Sequence, residues 1–302
     1  MKNEDLLHKI DELRSEKNAI ILAHNYEPGI IQDLADLTGD SLELSRKAVD
    51  TDAEVIVFCG VRFMAETAAI LNPNKIVLLP ELQAGCPMAD MITAGDVKII
   101  KEQHPGIPIV TYVNSNADVK AESTICCTSA NSIKVVNSFT EASEIYMVPD
   151  QNLAKYTARH TGKKIHHWNG YCPVHHNVRV EHVLEAKKRH PEAVFIAHPE
   201  CRPEVLDLAD GVFSTSGMIK YVSDFDKSLF IIGTEKGLIH TLQKNNPDKK
   251  FVPLHESLVC ADMKKITLEK ILYSLEHLEP RITIPEPIRE KAQEALDRML
   301  EI

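Results

Sequence analysis

Three segments of this 302-residue chain follow one plan, and each begins at a cysteine. They run CPMADMITAGDVKIIKEQHPGIPIVTYVNS from Cys86, CPVHHNVRVEHVLEAKKRHPEAVFIAHPE from Cys172 and CADMKKITLEKILYSLEHLEPRITIPEP from Cys260. Each passes from the cysteine through an amphipathic helix and a proline or glycine break to an apolar strand. In the third segment Leu268, Ile271, Leu272 and Leu275 fall on one helical face. The N-terminus opens partway through the same unit, with Leu6, Leu7, Ile10 and Leu13 on a helix ahead of the strand NAIILAH. An internal repeat of this length restricts the chain to three similar supersecondary units.

The strand ends repeat as well. They read AHNY at 23–26, TYVN at 111–114 and AHPE at 197–200. His24, Tyr112 and His198 are 88 and 86 residues apart, and Tyr26, Asn114 and Glu200 follow two positions later at the same separations. Ser41, Ser129 and Thr215 form a third series with that spacing, each ahead of a helical pattern and suited to an N-cap or first-turn position. The cysteines are 86 and 88 apart. Later strands follow suit at EVIVFCG, EIYMVPD and SLFIIGTE, each succeeded by a short helical stretch and another strand. Strands alternating with helices imply parallel sheets covered on both faces, with ligands bound at the C-terminal strand edge. The predicted units are 1–86, 87–172 and 173–260. Residues 261–302 are expected to pack back on the first unit, through a closing helix with Ile288, Ala292, Leu296 and Met299 on one face.

Residues i and i+2 at a strand end project to one side. His24/Tyr26, Tyr112/Asn114 and His198/Glu200 are therefore expected to face one central cavity. Ser41, Ser129 and Thr215 would add hydroxyls beside helix N-termini, an arrangement that favours carboxylates and phosphates. Each residue alone has a plainer role, as a helix cap, a hydrogen-bonded structural histidine or a strand residue at a rim. Their joint recurrence at one register points instead to a shared site for a small, multiply anionic ligand.

Of seven cysteines, only Cys86, Cys172 and Cys260 share a repeat position, each just before a helix whose N–H groups would stabilise a thiolate. Cys59 lies in an apolar strand, Cys126 and Cys127 precede the Ser129 helix, and packing accounts for all three. Cys201 adjoins HPE without a repeat equivalent. An odd cysteine count does not suit a disulfide framework, and no C-x-x-C pair signals a zinc ribbon or bacterial ferredoxin. Three thiolates could hold zinc with an open fourth position, or a four-iron cubane with one iron lacking a protein thiolate; spacing does not choose. An open metal would act as a Lewis acid. With 34 basic and 44 acidic residues the net charge is −10, which argues against nucleic acid or anionic membrane as partner. The mixed-charge start does not fit a secretory signal, and no apolar run approaches the roughly 18 residues of a membrane span. A cytoplasmic protein is expected.

These residues resemble one known family, quinolinate synthase. The likeness runs from ILAHNYEP through GDSLELSR, FMAETAAILNP, YVNSNADVKA, TSANS and HPEC to STSGMIK and the last cysteine. It implies three Rossmann-like α/β domains around a pseudo-threefold axis with a central active site. It also implies a [4Fe–4S] cluster on Cys86, Cys172 and Cys260 with one open iron. The implied reaction condenses iminoaspartate with dihydroxyacetone phosphate to quinolinate, for NAD biosynthesis, with functional coupling to an iminoaspartate-producing enzyme. The resemblance places His24, Ser41, Tyr112, Asn114, Ser129, His198, Glu200 and Thr215 in the substrate site. Glu200 is the expected general base, with Tyr26 or Tyr112 exchanging protons on oxygen and His24 and His198 orienting carboxylates or phosphate. Some relatives carry a further cysteine after the third ligand, where this chain has Ala261, Asp262 and Met263, and Ser216 stands where relatives often have glycine. A cluster-dependent hydro-lyase would use the same open iron without a site for a phosphorylated second substrate. A non-catalytic iron sensor would need the cysteines but not the polar pairs. The absence of G-x-G-x-x-G after any strand argues against a nicotinamide-dependent dehydrogenase.

Overall fold

A computed structural model describes residues 3–302, so the first two residues of the predicted first unit lie outside it. Twelve strands among the described residues build three four-stranded sheets. The first contains β1 (Ala19–His24), β2 (Leu37–Gly39), β3 (Val55–Cys59) and β4 (Ile76–Leu78). The second contains β5 (Ile109–Tyr112), β6 (Ile125–Cys127), β7 (Glu144–Val148) and β8 (Lys164–His167). The third contains β9 (Val194–Ala197), β10 (Gly211–Val212), β11 (Leu229–Gly233) and β12 (Lys250–Pro253). All neighbours are parallel, and every sheet has the order second, first, third, fourth. The expected α/β architecture of three repeated units is therefore what the chain forms.

Sequence explains the choice of parallel pairing. β3 reads VIVFC with every residue buried, and β1 is buried from Ile20 onward. Such continuous apolar strands need cover on both faces, which crossover helices supply. β1 pairs with β3 through Ile20 and Ile56, Ile21 and Val57, and Leu22 and Phe58. Each of these side chains contributes roughly 1.5–3 kcal/mol through burial. The helix Asn3–Glu16 lays Leu6 and Ile10 into the same core as Leu268, Ile271, Leu272 and Leu275 of the helix Leu268–His277. That core continues into the third unit through Phe230, Leu238 and Leu242.

The closing helix Glu286–Leu300 buries Ala292, Ala295, Leu296 and Met299 in a core shared by Leu42 and Ile70 of the first unit and Val110, Ile125, Val135 and Leu153 of the second, and it also packs on the first-unit helix Arg62–Leu71. The sequence pattern identified its apolar face; the small side chains of Ala292 and Ala295 then let it pack closely on the short helix Ala117–Ala121 and on β6. The preceding helix, Leu268–His277, packs on the first unit as well. Among the described residues no helix is long and apolar enough to cross a membrane.

Because the order places the first and third strands side by side while their connections leave to opposite sides, each unit has a crevice at its C-terminal strand edge. The same strand performs the same task in every unit. The first strand leads into the polar pair, the second into the hydroxyl, and the loop after the fourth into the cysteine.

Candidate active site and metal centre

The three edges meet at a cavity of about 280 Å³. His24, Tyr26, Ser41, Tyr112, Asn114, Ser129, His198, Glu200 and Thr215 all line it, together with Cys86, Cys172 and Cys260. Val61, Phe63, Met64 and Met88 supply an apolar wall.

Two polar pairs share one local geometry. The Tyr26 N–H donates to His24 Nδ1 at 3.1 Å, and the Glu200 N–H approaches His198 Nδ1 at 3.4 Å. Each imidazole therefore accepts at Nδ1 and carries its hydrogen on Nε2. Burial, helped by Lys264, lowers the His24 pKa to about 3, and burial against the opposing pull of Glu200 lowers His198 to about 3. Both rings are neutral donors for an anionic ligand. Glu200 is 3% exposed. Burial alone raises its pKa, yet His198 and His175 outweigh that and hold it at about 2, so the carboxylate stays ionised. Tyr112 sits between Ser129 and Glu200, and burial followed by the Glu200 charge pushes its phenol well up. Two buried atoms of the cavity residues, Glu200 Oε1 and Asn114 Oδ1, have no hydrogen-bond partner in the protein. A buried polar atom left open costs about 1–3 kcal/mol, which marks both as places where a ligand would bind.

The hydroxyl series differs in detail from the expectation. Ser41 and Thr215 are the first residues of the helices Ser41–Asp50 and Thr215–Asp224, capped by Asp40 and Ser214, whereas Ser129 lies in the turn before the helix Ser132–Ser138. Asp40 accepts from the N–H groups of Leu42 and Glu43, and Ser214 from that of Gly217. Those donors are satisfied internally, so the hydroxyls themselves are what the helix starts offer. Ser216 fits its helix without distortion, and its hydroxyl donates to Glu43 at 2.5 Å, joining the first and third units.

The cysteines divide as the repeat divides them. Cys59, Cys126, Cys127 and Cys201 are fully buried, and Cys201 turns its thiol to the Gly233 carbonyl at 3.6 Å. Cys86, Cys172 and Cys260 are partly exposed on the cavity. Each precedes a single short turn rather than the full amphipathic helix: Ala89–Met91, Pro173–His176 and Asp262–Lys264. N–H groups of that turn point back at the sulfur, from Ala89 and Met88, from His175, and from Met263 and Asp262. Burial nevertheless raises all three thiols, Cys86 to about 12. A metal's positive charge acts in the opposite sense and favours the thiolate. The loops are also braced by buried carboxylates that follow the third strands. Asp150 accepts from the Cys172 N–H at 3.1 Å and Glu235 from the Cys260 N–H at 3.3 Å. Lys264 pairs with Glu235 at 3.0 Å and also donates to the Tyr26 carbonyl. Ligand atoms of Cys172, His175 and Glu200 lie within 4.8 Å of one another, a grouping able to hold a metal ion.

Residues 8–301 match the family model described as Quinolinate synthetase A protein. The chain belongs to that quinolinate synthase family. It is 55% identical to a quinolinate synthase of Dehalococcoides mccartyi (strain CBDB1) over the full length of both chains. It is 54% identical to quinolinate synthase 1 of Methanosarcina acetivorans and to a quinolinate synthase of Geotalea uraniireducens, in each case over all of this chain and 99% of the relative.

For a quinolinate synthase family member, sequence reasoning missed two residues that shape the site. His175 stands three positions after Cys172, so C-x-x-H on one helical turn was the available signal. Thr234 follows β11, the third strand of its unit, and the polar residues read from the sequence lay after the first and second strands.

Proposed function

We propose that this chain is a quinolinate synthase that condenses iminoaspartate with dihydroxyacetone phosphate, releasing phosphate and two waters as the pyridine ring closes. The observation that carries this reading is the convergence of three polar pairs, three hydroxyls and three cysteines, one of each from every unit, on one cavity. The same repeat gives the proposed unit boundaries at Cys86, Cys172 and Cys260.

The donor set fits a [4Fe–4S] cluster. Three soft sulfurs are available, and a cubane on three thiolates keeps one iron open. When bound, the cluster would supply Lewis-acid polarisation of a substrate oxygen and so assist loss of water. The protein groups supply the rest. Neutral His24 and His198 offer Nε2–H to carboxylate or phosphate oxygens, with Ser41, Ser129, Thr215 and Asn114 completing the contacts. Glu200, ionised and open at Oε1, is placed to remove carbon-bound protons, and the phenols of Tyr26 and Tyr112 to exchange protons on oxygen. The apolar wall excludes water from reactive imine intermediates. The substrates arrive as small molecules, one of them from an enzyme that produces iminoaspartate.

Anaerobically reconstituted protein, given both substrates, should form quinolinate. Glu200→Gln should reduce turnover by roughly 10²- to 10⁴-fold, the usual contribution of a general base, while cluster absorbance stays intact. A fully active, cluster-loaded Glu200→Gln protein would sink the assignment, and a loaded wild type that makes no quinolinate would sink the function.

A further inference from the structure

Among the described residues Lys120 is the one buried lysine, at 0% exposed. It lies on the short helix Ala117–Ala121 of the second unit and does not line the cavity. Its ammonium donates to the Ser115 carbonyl at 2.5 Å and to the Phe63 carbonyl at 3.5 Å, and stands 5.6 Å from the centre of the Phe63 ring. Burial lowers its pKa, and the charge of Glu66 is the largest influence opposing that. A buried charge is expensive unless it is paired and hydrogen-bonded, so packing alone would be served better by an apolar side chain of the same length.

Glu66, 5% exposed, belongs to the helix Arg62–Leu71 of the first unit. Its Oε2 accepts from the Ala117 N–H at 2.9 Å, and its Oε1 from Arg62 Nε at 2.9 Å. The two opposite charges thus grip the second unit's backbone on either side of Asn116. Lys120 holds the carbonyl before it and Glu66 the N–H after it. That loop runs from β5 to Ala117 and carries Asn114, which lines the cavity with its buried Oδ1 unpartnered. Ser115, 0% exposed, tightens the loop by donating to the Tyr112 carbonyl at 3.0 Å. Phe63, whose carbonyl the same ammonium holds, is part of the cavity's apolar wall.

We propose that Lys120 and Glu66 are positioning residues that clamp the loop after β5 across the boundary of the first two units, setting Asn114 against the ligand opposite the Phe63 wall. This rests on the quinolinate synthase reading, which gives Asn114 its place in the substrate site. Neither Lys120 nor Glu66 lines the cavity, so both act through Asn114 rather than on the ligand.

Cluster-loaded full-length Lys120→Met and Lys120→Met/Glu66→Gln proteins separate positioning from charge balance. Lys120→Met keeps the reach of the side chain but removes the buried charge that opposes Glu66. Adding Glu66→Gln restores neutrality, and the amide oxygen still accepts from Ala117. The double variant should therefore melt above the single one. Both should nevertheless lower kcat/KM by roughly 10- to 100-fold, the scale of a misplaced contact, with cluster absorbance unchanged, because the Ser115 carbonyl has lost its donor. Added to Asn114→Ala, the double change should cost less than about 3-fold more, since the group it positions is already gone. If the single variant does not fold, the neutral double carries the comparison. Wild-type kcat/KM in the loaded double, or an undiminished loss on top of Asn114→Ala, overturns the proposal while leaving the function standing. A loaded wild type that makes no quinolinate overturns both.

Discussion

Glu27 follows directly on Tyr26, is 0% exposed, and has neither carboxyl oxygen hydrogen-bonded. Burial, opposed by Lys264 and reinforced by Glu235, pushes its pKa from 4.5 up to about 9. Between those values the folded chain holds a proton that the unfolded chain has released. This carboxyl's contribution to stability is thus present below about pH 4.5 and declines as pH rises toward 9. Glu27→Gln removes the titration, so melting temperature should fall less between pH 6 and pH 9 in the variant than in the wild type; equal slopes would show that Glu27 is not the source. Such a residue is hard to read in the sequence, where Glu27 looks like any loop glutamate. His24, Tyr112, Glu200 and the three cysteines were legible because the repeat supplied three copies of each position. Thr234 was not, because it occurs in one unit alone, and His175, also without a repeat copy, was marked only by its spacing from Cys172.

At the scale of elements, strands were the easiest to read, since VIVFC and AIILAH are apolar throughout and suit only doubly covered sheets. The closing helix was legible as a face, but the sequence named only the first unit as its neighbour, whereas it packs against the first and second units together. Periodicity shows which side of a helix is buried but not which surface buries it. Leu296 is fully buried in the core these two units share, so Leu296→Ala should cost about 2–5 kcal/mol in urea unfolding. Leu184→Ala, at a side chain 54% exposed, should stay within about 0.5 kcal/mol. A Leu296→Ala protein as stable as the Leu184→Ala protein would contradict the packing described for Glu286–Leu300. The hydroxyl series shows the same limit: helix starts were legible, but the sequence did not reveal that Asp40 and Ser214 would satisfy the N–H groups expected to face an anion.

For the whole molecule, three units contribute one cysteine each to a single cavity, so the metal group proposed there would tie them together. Cys172→Ser should prevent stable cluster assembly, measured by iron content and absorbance, whereas Cys59→Ser should load normally. Removing the cluster with a chelator should lower the melting temperature and raise amide hydrogen exchange around residues 86–88, 172–175 and 260–263, because ligands that bind only the folded state stabilise it. Unchanged exchange in those loops would show that the cysteines hold no shared group. The placement of the closing helix has a consequence for synthesis. Ala292, Ala295, Leu296 and Met299 complete the core around Val110 and Ile125. The middle of the chain therefore emerges from the ribosome with part of its apolar surface uncovered, and it stays open to chaperones, or to another chain, until the last helix has been made.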